Sequence, residues 1–227
     1  MSARPAAERR ADLLELYRRL DADWVCPLKG SRTSVVFGSG NADADLMFVG
    51  EAPGANEDRE GKPFVGRAGG LLDTLLLEIG FERADAFIAN VLKCRPPGNR
   101  DPLPHEIEEC TPHLIRQVEL IEPKVICTLG NFALKLLSGS PQGITRAHGT
   151  VQTHEMAGRA VWLFPLFHPS VALRAPAVLE LLRADFARLP GLLRERMPPS
   201  PADERSPDEG IRGSPADTGG DQLGLFG

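Results

Sequence analysis

Glu51, Glu57, Asp58 and Glu60 crowd a single stretch, GEAPGANEDREGKPFVG, residues 50–66. It lies between an apolar run, DLMFVG, and a helical pattern, GGLLDTLLLEIG. A glycine-rich turn in that setting usually cradles phosphate through its backbone N–H groups, but carboxylates repel phosphate. Neither the Gly-Lys-Ser/Thr ending of a P-loop nor a G-x-G-x-x-G run is present. Taken singly, each acid suits a cap on the next helix. As a cluster at a strand's end they suit a pocket, and Phe64 in GKPFVG offers a flat ring to stack on a planar ligand.

Three further groups carry chemistry. In NVLKCRPPGNRDP (90–102), Asn90 closes an apolar run, so its amide either caps its own loop or points into a crevice. One amide presents a donor and an acceptor together, which is what reading a base edge requires. Lys93, Arg95 and Arg100 add positive charge beside it. In FHPSVALRAP (167–176), His168 follows another apolar run, and Val171 and Leu173 beside Arg174 form a set suited to wedging into a duplex. Cys26, Cys94 and Cys110 supply three thiols for zinc or an iron–sulfur cluster, while Cys127 in KVICTLG reads as a buried strand residue.

These groups need a frame that brings them together. Apolar runs at 45–49, 86–90, 124–129 and 161–167 read as buried strands. Helical spacing covers 11–20, 69–79, 104–121, 130–138 and 176–189. Strands alternating with helices predict an α/β fold, a parallel sheet covered on both faces. In such sheets the working site lies beyond the carboxyl ends of the strands. That places 50–66, 90–101, 130–131 and 168–176 at one edge.

The chain has 227 residues and a net charge of −5, with 24 Lys/Arg against 25 Asp/Glu in residues 1–196 and 2 against 6 in 197–227. The acidity therefore belongs mainly to the tail, and a nucleic-acid partner is not excluded. No apolar run is long enough to span a bilayer and the start lacks a signal-peptide core, so the sequence reads as cytoplasmic. Four cysteines without a C-x-x-C pair fit a reducing compartment. Rich in Pro, Gly, Ser and acids, residues 197–227 read as a disordered tail after a domain of 1–196.

Taken in order, LMFVGEAPGANEDREGKPFVGRAGGLLDTLL, IANVLKCRPPGNRDPLPHEIEEC, ICTLGNFAL and FHPSVALR resemble the iron–sulfur, family 4 uracil-DNA glycosylases, from about Leu20 to Leu189. The resemblance implies a three-layer α/β/α sandwich with a central four-stranded parallel sheet. It implies a monofunctional enzyme that flips uracil out of DNA and hydrolyses its N-glycosidic bond, since no lysine is placed for Schiff-base chemistry. By position, Glu51 and Ala52 stand in the first catalytic motif and Glu57 at its second acid. Phe64 matches the uracil-stacking aromatic, Asn90 the reading amide and His168 the histidine of the last motif. Lys93, Arg95, Arg100, Leu173 and Arg174 would meet DNA. Two other readings are a non-excising uracil-DNA binder of the same fold and an iron–sulfur redox sensor.

Resemblance also implies a [4Fe–4S] cluster on Cys26, Cys94 and Cys110. The family has C-x-x-C at its first ligand pair, whereas DADWVC puts Asp23 where the first Cys is expected. Asp23 is then the fourth ligand, or the cluster is labile or three-iron, or it is lost. In the tail, Gln222, Leu223, Leu225 and Phe226 of QLGLF resemble a sliding-clamp docking motif, with the acidic stretch as tether. A monomer acting on uracil-containing DNA is the simple expectation.

Overall fold

The four apolar runs all enter one sheet, and each is parallel to its neighbour among them. The computed structural model describes residues 5–22, 24 and 26–196. Among these, six strands follow in chain order: β1 (Ser39–Gly40), β2 (Leu46–Gly50), β3 (Ala86–Asn90), β4 (Val125–Leu129), β5 (Gln152–Met156) and β6 (Arg159–Leu166). Their order in the sheet is β1-β3-β2-β4-β6-β5. The expected four-stranded parallel sheet is thus the centre of a six-stranded mixed one. The short β1 and the hairpin strand β5 each join an edge antiparallel.

Side chains alternate across the sheet as a period of two demands. Along β2, Met47 and Val49 enter one apolar cluster, and Leu46 and Phe48 enter the other. The first cluster is covered by α1 (Ala6–Ala22), and Leu114 and Val118 join it from a later helix, 104–121. Within the expected loop 50–66 a short helix forms, α2 (Ala55–Glu60). Next come α3 (Arg67–Glu78) and the helix just mentioned, α4 (Pro104–Ile121). After β4 lie α5 (Asn131–Ser138) and α6 (Ile144–Ala147), and after β6 lie α7 (Pro169–Ala172), α8 (Pro176–Phe186) and α9 (Leu189–Arg194). Leu72, Leu75 and Leu76 of α3, Leu182 and Phe186 of α8 and Leu189 and Leu192 of α9 fill the second cluster. Helices on both faces of the sheet make the three layers.

Strand order sets where the site falls. The chain runs from β2 to β3 on one side, then crosses back to β4 on the other, so β2 is where the winding reverses. Ligands bind outside the carboxyl ends of strands at such a switch point. Register aligns those ends: Gly50 pairs with Asn90, and Leu129 with Leu166. No helix among the described residues is long and apolar enough to cross a membrane.

Candidate active site

A cavity of about 490 Å³ opens at this switch point, with Glu51, Ala52, Glu57, Phe64, Asn90, Arg100, His168, Ser170 and Arg174 in its lining. Three separate loops, 50–66, 90–101 and 168–176, bring these residues together, and the sequence placed all three at one edge. A second cavity of about 390 Å³ shares Glu51, Ala52, His168 and Ser170 and continues toward Gly130, Asn131 and Val171.

Gly50 is what lets the floor close. A Cβ there would come within 2.5 Å of Asn90 Oδ1 and 2.7 Å of Phe64 Cζ. Asn90 is 2% exposed, and its amide makes no hydrogen bond with another described residue. Among the described residues the buried side-chain polar atoms that lack a partner belong to Arg9, Asp43 and Thr128; the Asn90 amide instead keeps contact with the cavity, which leaves its donor and acceptor open to a ligand. Phe64 is buried too, with its ring centroid 5.6 Å from that of His168 at a tilt of 31°.

The two acids differ. Glu57 accepts from Val65 N (3.0 Å) and Gly66 N (2.9 Å) through one oxygen and from Gly54 N (3.1 Å) through the other. It ties the start of α2 to the loop behind Phe64. Glu51 is half-buried, and its carboxylate has no hydrogen-bond partner among the described residues. Burial, with Asp101 nearby, holds its carboxyl above the usual carboxylate value. Asp58, which the sequence grouped with these acids, is buried and accepts from Thr33 N (2.8 Å) and Ser34 N (3.3 Å).

His168 caps the N-terminus of α7. Its Nδ1 lies 3.2 Å from Ser170 N and 2.8 Å from Ser170 Oγ. A backbone N–H can only donate, so Nδ1 accepts and the ring proton sits on Nε2. Burial, partly offset by Glu57, pushes the imidazole down to about 4. At neutral pH His168 is therefore an uncharged N–H donor on the cavity wall.

Among the expected DNA-facing cations, Lys93 is the correction. It is fully buried, and its ammonium donates to Asn90 O (2.8 Å) and Gln117 Oε1 (2.6 Å), so it cannot reach a phosphate. Burial pushes it down to about 7. Arg100 stands at the cavity, held by two bonds to the buried Glu106 (2.9 and 2.5 Å). Arg95 donates to Asn99 Oδ1 (2.7 Å), and Leu173 and Arg174 are exposed beyond α7. Sequence reasoning missed Ser170, which fixes the imidazole, and Arg83, which holds the Phe64 loop. A serine two residues after a histidine was a readable signal; nothing in the sequence singled out Arg83.

The model of the uracil DNA glycosylase superfamily matches residues 37–188. A type-4 uracil-DNA glycosylase of Archaeoglobus fulgidus is 43% identical over 188 residues, 81% of this chain and 94% of that protein. One from Thermotoga maritima is 46% identical over 167 residues, 73% of this chain and 85% of that one. A type-5 uracil-DNA glycosylase of Pyrobaculum aerophilum is 29% identical over 150 residues, 58% of this chain and 63% of that one. The chain belongs to the type-4 branch of the uracil-DNA glycosylase superfamily.

For a type-4 chain the cysteines become the next question. Cys26, Cys94 and Cys110 are all buried. Cys26 and Cys94 have sulfurs 3.2 Å apart, and Arg32 donates to both (3.3 and 3.1 Å). Lys93 N lies 3.5 Å from the Cys110 sulfur. The contact with Cys94, reinforced by Arg32, lowers Cys26 to about 6, whereas burial pushes Cys110 up to about 11. Among the described residues no group of three or more Cys, His, Asp or Glu is arranged to hold a metal ion. Thiols are the donors an iron–sulfur cluster takes, and Cys26 and Cys94 lie together with the Arg32 cation against both. Asp23 and the tail residues Gln222, Leu223, Leu225 and Phe226 lie outside the described residues.

Proposed function

We propose that this protein excises uracil from DNA, leaving an abasic site. The observation that carries the reading is the amide of Asn90, without a hydrogen-bond partner among the described residues, facing one cavity with Phe64, His168 and Glu51. A base within a duplex is out of reach, so the nucleotide must be flipped, at a cost of a few kcal/mol. Stacking on Phe64 returns about 1–3 kcal/mol. Asn90 donates to uracil O4 and accepts from N3–H. Cytosine reverses both groups, leaving the amide mispaired, and is rejected.

Bond cleavage develops positive charge on the sugar and negative charge on the departing uracil, by analogy with glycoside hydrolysis. The neutral His168 donates through Nε2 to uracil O2 and stabilises the leaving anion. Glu51, with lone pairs unclaimed, faces the sugar cation and orients water. Ala52 offers no carboxylate at the neighbouring position, so charge stabilisation with positioned water is favoured over a strong general base. The deciding experiment incubates the protein with a uracil-containing duplex and measures free uracil. Release supports the reading, while tight binding without release would mark a non-excising binder instead.

Cys26, Cys94 and Cys110 would hold a [4Fe–4S] cluster, with Asp23 as the fourth ligand, and such a cluster would cross-link the segment before β1 to the loop after β3 and to α4. Iron and sulfide quantitation on anaerobically purified protein, beside Asp23→Cys, tests this. The sequence of the tail supports docking on a sliding clamp. Truncation after Gly220 is expected to abolish clamp affinity and leave excision on short oligonucleotides intact.

A further inference from the structure

Phe64 has left-handed backbone, with φ of 52°, unusual for a residue that is not glycine. Such a conformation persists only where its surroundings over-determine it. Two side chains do so from opposite directions. Glu57 takes the N–H groups of Val65 and Gly66 on the far side of the residue. From the near side comes Arg83, in the 3-10 turn Arg83–Asp85 just before β3. Its guanidinium donates to the carbonyl of Phe64 (3.1 Å), to the carbonyl of Pro63 and to Asp73 Oδ1 in α3 (2.9 Å). Gly69 makes the approach possible, because a Cβ there would collide with the Phe64 carbonyl.

We infer that Arg83, oriented by Asp73, is a positioning residue for uracil: it locks Phe64 in left-handed backbone so that the ring stays on the cavity wall. This inference rests on the reading of Phe64 as the stacking ring. Arg83 touches neither base nor DNA in this scheme. With both carbonyls freed, Phe64 relaxes toward negative φ and its ring leaves the stacking position. The planar fork of donors is what the role needs, since it meets two successive carbonyls and a carboxylate at once, and a lysine ammonium lacks that geometry. The Arg83–Asp73 ion pair is partly exposed, at 29% and 42% of the two side chains, a setting in which a pair adds little to global stability. Removal is therefore felt at the loop before it is felt by the fold.

The test uses the full chain, with free-uracil affinity measured by competition against single-turnover excision of a uracil duplex, and thermal melting alongside. Arg83→Ala is expected to weaken uracil about tenfold, equivalent to about 1.4 kcal/mol. Half-saturation should rise in parallel, with the saturated cleavage rate changed much less. Arg83→Lys should recover part of the affinity. In a Phe64→Ala background, Arg83→Ala should cost nothing further, because its effect passes through the ring. Should Arg83→Ala not fold, Asp73→Asn carries the same test, with about threefold weaker uracil expected. Unchanged uracil affinity in the variant that folds, or additive losses in the double variant, overturns the inference alone. Wild-type protein that neither binds nor releases uracil overturns the functional reading, and the inference with it.

Discussion

The cavity and the cysteine corner treat polar groups in opposite ways. At the cavity, the side chains of Asn90 and Glu51 are held in place yet have no hydrogen-bond partner among the described residues. At the corner, the sulfurs of Cys26 and Cys94 engage each other, and Arg32 engages both. Groups kept without a partner inside a folded protein are costly unless something else uses them. Glu57 lines the cavity but belongs with the corner in this respect, since both of its oxygens are taken by backbone. Position at a site and availability to a substrate are therefore separate properties.

Substitutions of unclaimed groups should change rate before stability, and substitutions of claimed groups the reverse. His168, with Nδ1 claimed and Nε2 free, should give the largest effect. His168→Ala is expected to lower single-turnover excision by about 10²–10³, as for loss of one donor to a developing anion. Next comes Glu51→Gln, for which a loss of about 10–10² is expected with the melting temperature nearly unchanged. Because the Glu51 carboxyl titrates above its usual 4.5, the wild-type rate should fall as pH drops through that raised value. The acid limb should flatten in Glu51→Gln; a persistent limb would assign it to another group.

Glu57→Gln offers the opposite pattern. An amide cannot accept all three backbone donors, so a loss of stability of about 1–3 kcal/mol is expected in denaturant melts. A rate loss as large as that of Glu51→Gln with full stability would break the comparison. A last test concerns the imidazole. Its folded value of about 4 lies below the ordinary 6.5, so the unfolded chain binds the proton more readily between them. Stability attributable to a neutral His168 is complete above about 6.5 and shrinks as pH falls through about 4. Melting temperatures of wild type and His168→Asn should converge across that window and stay parallel at higher pH.

Much of the frame was legible because the parallel strands are continuous apolar runs and the site residues follow directly after them. What escaped the sequence did so for physical reasons. Strand β5, QTHEM, is polar and half-exposed at an edge, so it lacks the apolar run that marks a buried strand. Strand β1 is only two residues, Ser39–Gly40, and both Gly40 and the preceding Gly38 are at positive φ. Helix α2, ANEDRE, has no apolar face; it is held by Glu57 and Asp58, and helical periodicity cannot find that. Lys93 reads as a surface charge, and only the fold shows Gln117 and the Asn90 carbonyl waiting for it.

Helix α2 has one more consequence. Its neighbours Glu57 and Asp58 hold different loops: Glu57 binds the amides of Val65 and Gly66 behind the stacking ring, Asp58 those of Thr33 and Ser34 next to Arg32. Six residues thus join the cavity rim to the segment that reaches the thiols. In hydrogen-exchange terms, these four amides are expected to exchange as one opening unit, exposed together when α2 unfolds.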